Sequence, residues 1–310
     1  MKIVLATVLA LCFAAATVLA SQPVINEAMI NQINSNPAST WKAGVNKVFE
    51  GKTLEEVRHM LGAFLIIPET DRITKTIYTG ANLPDSFDSK KQWPNCAHAI
   101  RNQARCGSCW AFSAAEVLSD RLCIATNGNT NIVLSPQDLV SCDKSNYGCQ
   151  GGYLDKTWQY LESTGIVSDK CMPYTAGNGF VASCPNGQCP TSSESWTKHK
   201  AKSGSTVHFG SASSMQQDIQ AHGPIQVGFR VYQDFFNYKS GVYTHQSGGL
   251  AGGHAVKVDG WGVDNNGTPY WIVANSWGTT WGQQGYFWIK RGTDECGIES
   301  QAYAGQAATN

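Results

Sequence analysis

The sequence Gln103-Ala-Arg-Cys106-Gly-Ser-Cys109-Trp-Ala-Phe112 carries the strongest signal in the chain. Its two cysteines, Cys106 and Cys109, have three interpretations. A thioredoxin-like redox pair needs a neighbouring βαβ pattern, which is absent, and a zinc site needs a second pair at ligand spacing, whereas the other cysteines are scattered. The third interpretation places Cys109 at the N-terminus of a helix, where Ser108 lies near the cap. Backbone N–H groups and the helix dipole stabilise a thiolate there.

Three helices are predicted in this part of the chain. Apolar residues after Cys109 recur at helical spacing and predict a helix with a buried face: Trp110, Ala114, Val117, Leu118 and Leu122. Ser135 before Pro136 predicts the start of a second, short helix. The stretch 155–163, which is followed by Gly165, predicts a third helix.

Beyond about residue 200 the pattern becomes typical of strands. Residues 224–231 and the central part of 254–260 alternate between apolar and polar, and residues 270–274 form a continuous apolar run. The segment 264–267 has the composition of a turn. Helices followed by strands predict an α+β fold of two subdomains with a cleft between them.

A thiolate nucleophile requires a base and a third group that orients the base. Among the seven histidines, His254 is favoured because Gly252 and Gly253 leave space beside it. Asn275 follows the apolar strand 270–274, and Trp277 lies close to it. An asparagine there accepts the imidazole N–H, and the indole shields that bond from water. The sequence therefore predicts a Cys–His–Asn constellation.

Composition restricts both the function and the compartment. The chain has 310 residues, 42% of them hydrophobic and 15% charged, which is typical of a folded protein of roughly two domains. Its formal net charge is zero, so no basic excess is available to bind nucleic acid or an anionic membrane. Residues 3–20 predict a signal peptide that is cut after Ala20, with a retained membrane anchor as the alternative. Eleven cysteines fit a disulfide-permissive, secretory product.

Residues 21–80 differ from the rest of the chain in having no cysteine and few glycines. Thr53 and Glu56 have the spacing of a capping box. An amphipathic stretch follows, with its apolar residues on one helical face: Leu54, Val57, Met60, Leu61 and Phe64. Composition alone leaves two interpretations, a removable pro-segment and an N-terminal helical subdomain.

The Cys-Gly-Ser-Cys-Trp motif with a distant His and Asn resembles the papain and cathepsin family. The similarity is strongest to cathepsin B-like proteases and covers residues 83–300, including Gly252-Gly-His-Ala255, Val273-Ala-Asn-Ser-Trp277 and Cys296-Gly-Ile-Glu-Ser300. It implies a papain-like fold with a helical left domain, at about 93–195, and a β-barrel-like right domain, at about 83–92 plus 196–310. Thr40-Trp-Lys-Ala-Gly44 resembles the pro-segment of that group. We therefore expect a signal peptide at 1–20, an inhibitory propeptide at 21–82 and a mature peptidase at 83–310.

The resemblance implies a cysteine endopeptidase that is made as a secreted zymogen and uses neither a cofactor nor a metal. Cys109 attacks the peptide carbonyl, His254 transfers protons, Asn275 orients the imidazole, and Gln103 contributes its amide to the oxyanion hole. The residues expected to bind substrate are Gly151, Gly152, Gly253, Trp277 and Gln301. A catalytically inactive cathepsin-like binding protein is the alternative from another class.

The same resemblance defines the expected partners and location. The partners are protein or peptide substrates, the chain's own propeptide and cystatin-type inhibitors, with no nucleic acid and no membrane after signal cleavage. We expect a monomer that is secreted or held in lysosome-like or endosome-like vesicles. The implied disulfides are Cys96–Cys123, Cys106–Cys149, Cys142–Cys184 and Cys171–Cys189, which leaves Cys296 free.

The chain departs from cathepsin B at three places. Met172–Ser183 is short and has no histidine, where cathepsin B carries an occluding loop with a histidine pair, so we expect little peptidyl-dipeptidase activity. Gln301 replaces a glutamate at the base of the pocket for the second residue upstream of the cut, which predicts a weaker preference for Arg. Asn102, Ala104 and Arg105 replace the usual Asp, Gly and Ser beside Gln103.

Overall fold

The computed structural model describes residues 22–65, 83–185 and 187–309. The predicted signal peptide at 1–20 lies outside the described residues, as does the link 66–82 between the N-terminal segment and the rest of the chain. Within the described ranges, no helix has the length and apolar character needed to cross a membrane.

The N-terminal segment, residues 22–65, consists of short elements that pack against the β half. Helix α1 spans Glu27–Ser35, strand β1 Trp41–Ala43, a 3-10 turn Lys47–Phe49 and helix α2 Leu54–Arg58. The predicted capping box is confirmed, since the Thr53 hydroxyl accepts from the Glu56 N–H while the Glu56 carboxylate accepts from the Thr53 N–H.

The prediction that this amphipathic helix continues to Phe64 is wrong. Helix α2 ends at Arg58, and residues 61–65 form no helix. The apolar residues of this stretch are buried or half-buried against other parts of the chain instead of along one helix face. Contacts with residues far away in the sequence, and not the helical periodicity, therefore determine the conformation of this stretch.

The helical half contains the long α4 (Cys109–Ala125), α5 (Pro136–Cys142) and α6 (Leu154–Ser163), whereas the short α3 (Ser89–Gln92) packs on strands of the β half. The three helices predicted from the sequence are confirmed. Ser135 caps α5 by accepting from the Asp138 N–H, and Gly165 follows α6 in the left-handed region, with φ +75. Helix α4 is buried on almost its whole circumference because α5, α6 and the sheet all pack against it.

The β half contains most of a nine-stranded sheet. Its strands and helix α7 are β2 (Phe87–Asp88), β3 (Val207–His208), α7 (Ala212–His222), β4 (Ile225–Tyr232), β5 (Tyr238–Tyr243), β6 (Leu250–Val263), β7 (Pro269–Ala274), β8 (Tyr286–Lys290) and β9 (Ala302–Ala304). The order is β1-β5-β8-β7-β6-β4-β9-β3, and β2 pairs with β6. Only β5 and β8 run parallel among these described strands.

Three features of the sheet matter for the site. The predicted turn 264–267 joins β6 to β7, where the Asp264 carboxylate accepts from the N–H groups of Asn266 and Thr268. Strand β6 lies against α4, so the cleft forms where the N-terminus of the helix meets the middle of the strand. Strand β1 of the N-terminal segment extends the same sheet by pairing with β5.

Candidate active site

Cys109 is the first residue of α4, and its side chain is fully buried. The backbone N–H groups of Ala255 on β6 and Gly62 in the N-terminal segment lie close enough to the sulfur to favour the thiolate. Burial outweighs these contacts and raises the pKa of the Cys109 thiol to about 11. Ser108 occupies the N-cap position without a capping bond, because its hydroxyl pairs with the Tyr174 hydroxyl at 2.8 Å.

His254 lies in the middle of β6 and is held from two sides. Its Nε2 lies 2.8 Å from Asn275 Oδ1, just beyond the end of β7, and the Trp277 ring stacks on the imidazole at a centroid distance of 4.8 Å. Since the Asn275 oxygen only accepts, Nε2 carries the proton and Nδ1 is the basic nitrogen. Among the described residues, Nδ1 has no hydrogen-bond partner. Burial lowers the pKa of His254 to about 4, against the opposing effect of the Asn275 bond.

Gln103 is buried and fixed by contacts to both halves. Its Oε1 accepts from the Ser276 hydroxyl at 2.6 Å, and its backbone carbonyl accepts from the Tyr174 hydroxyl at 2.8 Å. Its Nε2 donates to the carbonyls of Met60 and Cys106, both at 2.8 Å. The amide therefore points one donor at a carbonyl of the N-terminal segment. The sequence interpretation missed Ser276 and Tyr174, which lie far from Gln103 along the chain.

Residues 61–65 occupy the cleft and bond to both of its walls. The Phe64 N–H donates to Gly152 O at 3.0 Å, and the Gly152 N–H donates to Gly62 O at 2.9 Å. On the opposite wall, the Ala63 N–H donates to Gly253 O at 3.1 Å. The expected substrate-binding glycines Gly152 and Gly253 thus form the backbone edges of the cleft.

Side chains of this segment also fill the cleft. The Phe64 ring packs on Tyr153 at 4.9 Å between centroids, and a Cβ built on Gly151 would lie 2.8 Å from that ring. Leu65 adjoins Gly228, where a built Cβ would lie 2.6 Å from the leucine and 3.4 Å from the Gln301 Cβ. Gln301 therefore belongs to the pocket that receives Leu65.

Gly62 makes the closest approach of the N-terminal segment to the loop before Cys109. A Cβ built on Gly62 would lie 1.9 Å from the Gly107 carbonyl oxygen. No side chain fits at that distance, so only glycine allows the backbone to lie there.

The turn before Cys109 contains an unusual backbone. Ala104 has φ +52, in the left-handed region that disfavours residues with a Cβ. The Arg105 N–H donates to Gly177 O at 2.9 Å, so the turn is fixed by the segment 172–183. This segment contains a 3-10 turn at Ala176–Asn178 and exposes the Phe180 side chain.

Four disulfides fix the helical half. They join Cys96–Cys123, Cys106–Cys149, Cys142–Cys184 and Cys171–Cys189, the pairs that the resemblance implies. Cys109 and Cys296 are free thiols. The Cys106–Cys149 bridge joins the loop before Cys109 to the Gly151–Gly152 edge of the cleft.

A cysteine at a helix N-terminus, opposite a strand-borne histidine in a cleft between helical and sheet halves, defines the architecture of the papain-like cysteine proteases. The chain belongs to the papain family: the model for papain family cysteine proteases matches residues 83–306, and the model for the peptidase family C1 propeptide matches residues 25–65.

Individual relatives place the chain among cathepsin B-like proteases. It is 41% identical over 315 residues to cathepsin B-like cysteine proteinase 4 of Caenorhabditis elegans, covering 91% of this chain and 92% of the relative. It is 40% identical over 290 residues to cathepsin B-like CP3 of Giardia intestinalis, covering 92% and 95%. Among solved structures, procathepsin B S9 from Trypanosoma congolense superposes with a TM-score of 0.84 at 37% identity, covering 93% of this chain and all 100% of that one.

Proposed function

We propose that this cathepsin B-like cysteine protease is an endopeptidase that hydrolyses peptide bonds through Cys109, His254 and Asn275, with Gln103 in the oxyanion hole. The observation that carries the proposal is the His254–Asn275 pair, joined at 2.8 Å and covered by Trp277, on the strand that also brings the Ala255 N–H to the Cys109 sulfur. Each group that acyl transfer needs is present in the cleft.

The geometry supports a division of roles. Cys109 attacks the carbonyl carbon, and the charge that develops on the oxygen is stabilised by the Gln103 amide and the Cys109 backbone N–H. His254 takes the Cys109 proton on Nδ1 and donates it to the leaving amine as the thioester forms. Nδ1 then takes a proton from the water that hydrolyses the thioester and returns it to the released Cys109 sulfur. Asn275 keeps the other nitrogen protonated, so that Nδ1 faces the reaction.

The first experiment compares wild type with Cys109→Ala, both matured by the same added protease. Hydrolysis of a fluorogenic dipeptide amide by the wild type alone, blocked by a thiol-alkylating epoxide, is the expected result. If neither protein hydrolyses the substrate although both are folded and processed, the inactive binding protein would be favoured. Equal activity in both would point to contaminating protease, and the wild-type signal would then no longer support the proposal.

We propose that residues 21–82 are the inhibitory propeptide of a zymogen. Residues 61–65 bond to both cleft walls, and the Met60 carbonyl takes a donor of Gln103. Burial beneath this segment also disfavours both ions of the catalytic pair: the Cys109 thiol has its pKa raised and the His254 imidazole has its pKa lowered. The zymogen therefore holds a neutral thiol and a neutral imidazole.

Thiol alkylation tests this electrostatic part of the inhibition. The Cys109 thiol of the zymogen has a pKa of about 11, so at pH 7 almost all of it is protonated and it reacts slowly. Raising the pH to 9 still leaves most of the thiol protonated. Removal of the propeptide exposes the pair to water, and we expect the alkylation rate at pH 7 to rise at least about a hundredfold. Peptide mapping separates Cys109 from Cys296, the other free thiol among the described residues. Equal rates before and after removal would refute this mechanism.

The endopeptidase preference is supported by the segment Met172–Ser183. It contains no histidine to pair with a substrate's C-terminal carboxylate, and it packs on the turn at 104–105. We expect internal cleavage of a long peptide without stepwise release of C-terminal dipeptides. Amidation of the peptide's C-terminus is the control and should leave the rate unchanged. Dipeptide ladders that disappear on amidation would contradict the proposal.

Gln301 supports a preference for apolar residues at the second position upstream of the cut. In this structure its Cβ adjoins the site that receives Leu65, and its side chain carries no charge to attract Arg. We expect Gln301→Glu to raise the ratio of Arg to Phe substrate turnover. An unchanged ratio would remove Gln301 from the pocket's specificity.

We also propose entry into the secretory pathway through residues 1–20, followed by secretion or delivery to lysosome-like vesicles. The disulfides of the helical half support an oxidising compartment. Expression of the full chain in a secreting cell should release protein that begins near Ser21. Retention of residues 1–20 in a membrane fraction would favour the anchor.

A further inference from the structure

A cavity of about 900 Å³ opens in the helical half, and its lining includes none of the residues that form the cleft. Its walls come from α4 and from the segments 98–101, 130–134, 168–170 and 194–199. This volume lies in the range of small-molecule sites. The described residues leave it unfilled, whereas they fill the catalytic cleft with residues 61–65.

The lining combines an apolar wall with a charged rim. Ile100, Ile132, Val133 and Leu134 supply the apolar surface. On the rim, Arg101 donates to Asp169 at 2.7 Å, and Lys170 lies 3.4 Å from Glu194. The rim ions therefore neutralise one another in pairs, and a ligand would have to compete with them.

Glu116 is different from these rim residues. It lies on α4, lines the cavity and is only 9% exposed. Its Oε1 atom is buried and has no hydrogen-bond partner among the described residues. The carboxyl group therefore carries a desolvation cost that no bond to Oε1 offsets, and a ligand that donates to this group from the cavity side would offset part of it.

The cations near Glu116 are already paired with other carboxylates. The nearest buried cation, Lys257, is already engaged by Asp120 and by Asp259, the latter at 3.1 Å. Arg101 is engaged by Asp169. Lys257 and Arg101 are the cations that act most strongly on Glu116, and both pair with other carboxylates, so Glu116 has no ion-pair partner of its own among the described residues.

We propose that this cavity binds a small organic ammonium ion with an apolar body, whose N–H groups pair with the Glu116 carboxylate while the body packs on the wall of Ile100, Ile132 and Val133. A charge-assisted bond to a desolvated carboxylate is stronger than one between neutral groups. The apolar wall supplies the remaining affinity through burial of the ligand's hydrocarbon surface.

The titration of Glu116 adds a second readout. Burial raises the pKa of the Glu116 carboxyl to about 8, Lys257 and Arg101 oppose that rise, and Asp120 and Asp259 add to it. The other titratable groups on the surrounding elements are His98, Asp169, Lys170, Glu194, His199 and Tyr286. In the empty cavity at pH 6 the carboxyl holds a proton that an ammonium ligand must displace. The ligand's affinity therefore rises between pH 6 and pH 8.

The test uses the full-length zymogen with Cys109→Ala, which keeps the chain intact and the catalytic cleft filled. The probes are phenylbutylamine, its neutral analogue phenylbutanol and its anionic analogue phenylbutyrate, titrated by calorimetry at pH 6 and pH 8. We expect the amine to bind at least about tenfold more tightly than the alcohol at pH 8, with a smaller ratio at pH 6. The acid should bind more weakly than either.

Three variants locate the binding. Glu116→Gln should abolish the advantage of the amine over the alcohol, and Val133→Trp, which fills the cavity from a partly exposed position, should weaken both. Glu55→Gln removes an exposed carboxylate of α2 and should change nothing. Equal affinity for amine and alcohol, tighter binding of the acid, no saturable binding, or amine binding that survives both cavity variants would each overturn the proposal.

Discussion

The helical half and the β half are stabilised by different means. All four disulfides lie in the helical half, between Cys96 and Cys189. The described part of the β half has none, and its core is a cluster of packed rings. Two rings of that cluster, Trp41 and Phe49, belong to the N-terminal segment.

This difference determines what removal of the N-terminal segment changes. The cross-links of the helical half persist when that segment leaves, so its side of the cleft keeps its shape. The β half loses Trp41 from beside Tyr243 and Phe49 from beside Trp277. The N-terminal segment is therefore held chiefly by a core that it shares with one half of the enzyme.

The largest expected effect comes from Trp41→Ala. Trp41 is buried, donates to Thr244 O at 2.9 Å and packs on the Tyr238 and Tyr243 rings. Its truncation should weaken the hold of the segment by about 3–5 kcal/mol, as for other buried aromatic residues. Alkylation of Cys109 in the zymogen should accelerate accordingly. Trp41→Phe keeps a ring and should have a smaller effect, and an unchanged rate in Trp41→Ala would refute the shared core.

Gln103 tests whether the two halves cooperate in the mature site. Gln103→Ala should cost about 2.7–4 kcal/mol of transition-state stabilisation, measured as a fall in kcat/KM, as for other oxyanion-hole donors. Ser276→Ala leaves the amide in place but removes the bond from the β half, and should cost about 1 kcal/mol. Equal losses in the two variants would mean that Ser276 does more than orient Gln103.

Removal of one disulfide tests whether the helical half can be destabilised without loosening the N-terminal segment. Cys171 and Cys189 are separated by 18 residues, and replacing both by Ser should lower the free energy of unfolding by about 3 kcal/mol. Denaturant unfolding measures this change. Alkylation of Cys109 in the folded zymogen should stay as slow as in the parent, since the segment is held by the other half. A faster rate would show that the two halves are coupled.

The smallest expected effect is a gain in stability. Ala104 has φ +52, so Ala104→Gly relieves backbone strain and should raise the free energy of unfolding by about 0.5–1 kcal/mol. Ala115→Gly, in the interior of α4, should lower it by about 1 kcal/mol. Thermal unfolding of both variants measures whether each change raises or lowers the free energy of unfolding. A loss of stability in Ala104→Gly would mean that the Cβ contributes packing that outweighs the strain.

Local signals in the sequence predicted the elements that depend on local chemistry. The cap at Ser135, the helix after Cys109 and the turn at 264–267 are examples, because capping, periodicity and turn composition act within a few residues. The glycines before His254 and the place of Asn275 after the strand 270–274 also marked this pair, which the structure brings to hydrogen-bond distance.

Other features depend on residues far apart in the chain. Residues 61–65 have helical periodicity, yet their partners Gly152 and Gly253 lie in the two halves of the enzyme. Ser276 reaches Gln103 across a sequence separation of 173 residues, and no pattern around either residue marks the pair. Glu116 has the helical setting of an ordinary surface acid, and only the packing around α4 shows that its Oε1 is buried without a partner.

The contact between Gly62 and Gly107 has a consequence for the genetic robustness of the protein. At position 62 every codon change that alters the amino acid introduces at least one carbon into a gap where a built Cβ lies 1.9 Å from an oxygen. In a saturation library at this codon, glycine codons should therefore keep the precursor inhibited. Every other amino acid should give a precursor that is no longer fully inhibited, to a similar degree whatever the size or polarity of its side chain. One codon would thus decide whether the cell that makes the protein is harmed by uncontrolled proteolysis.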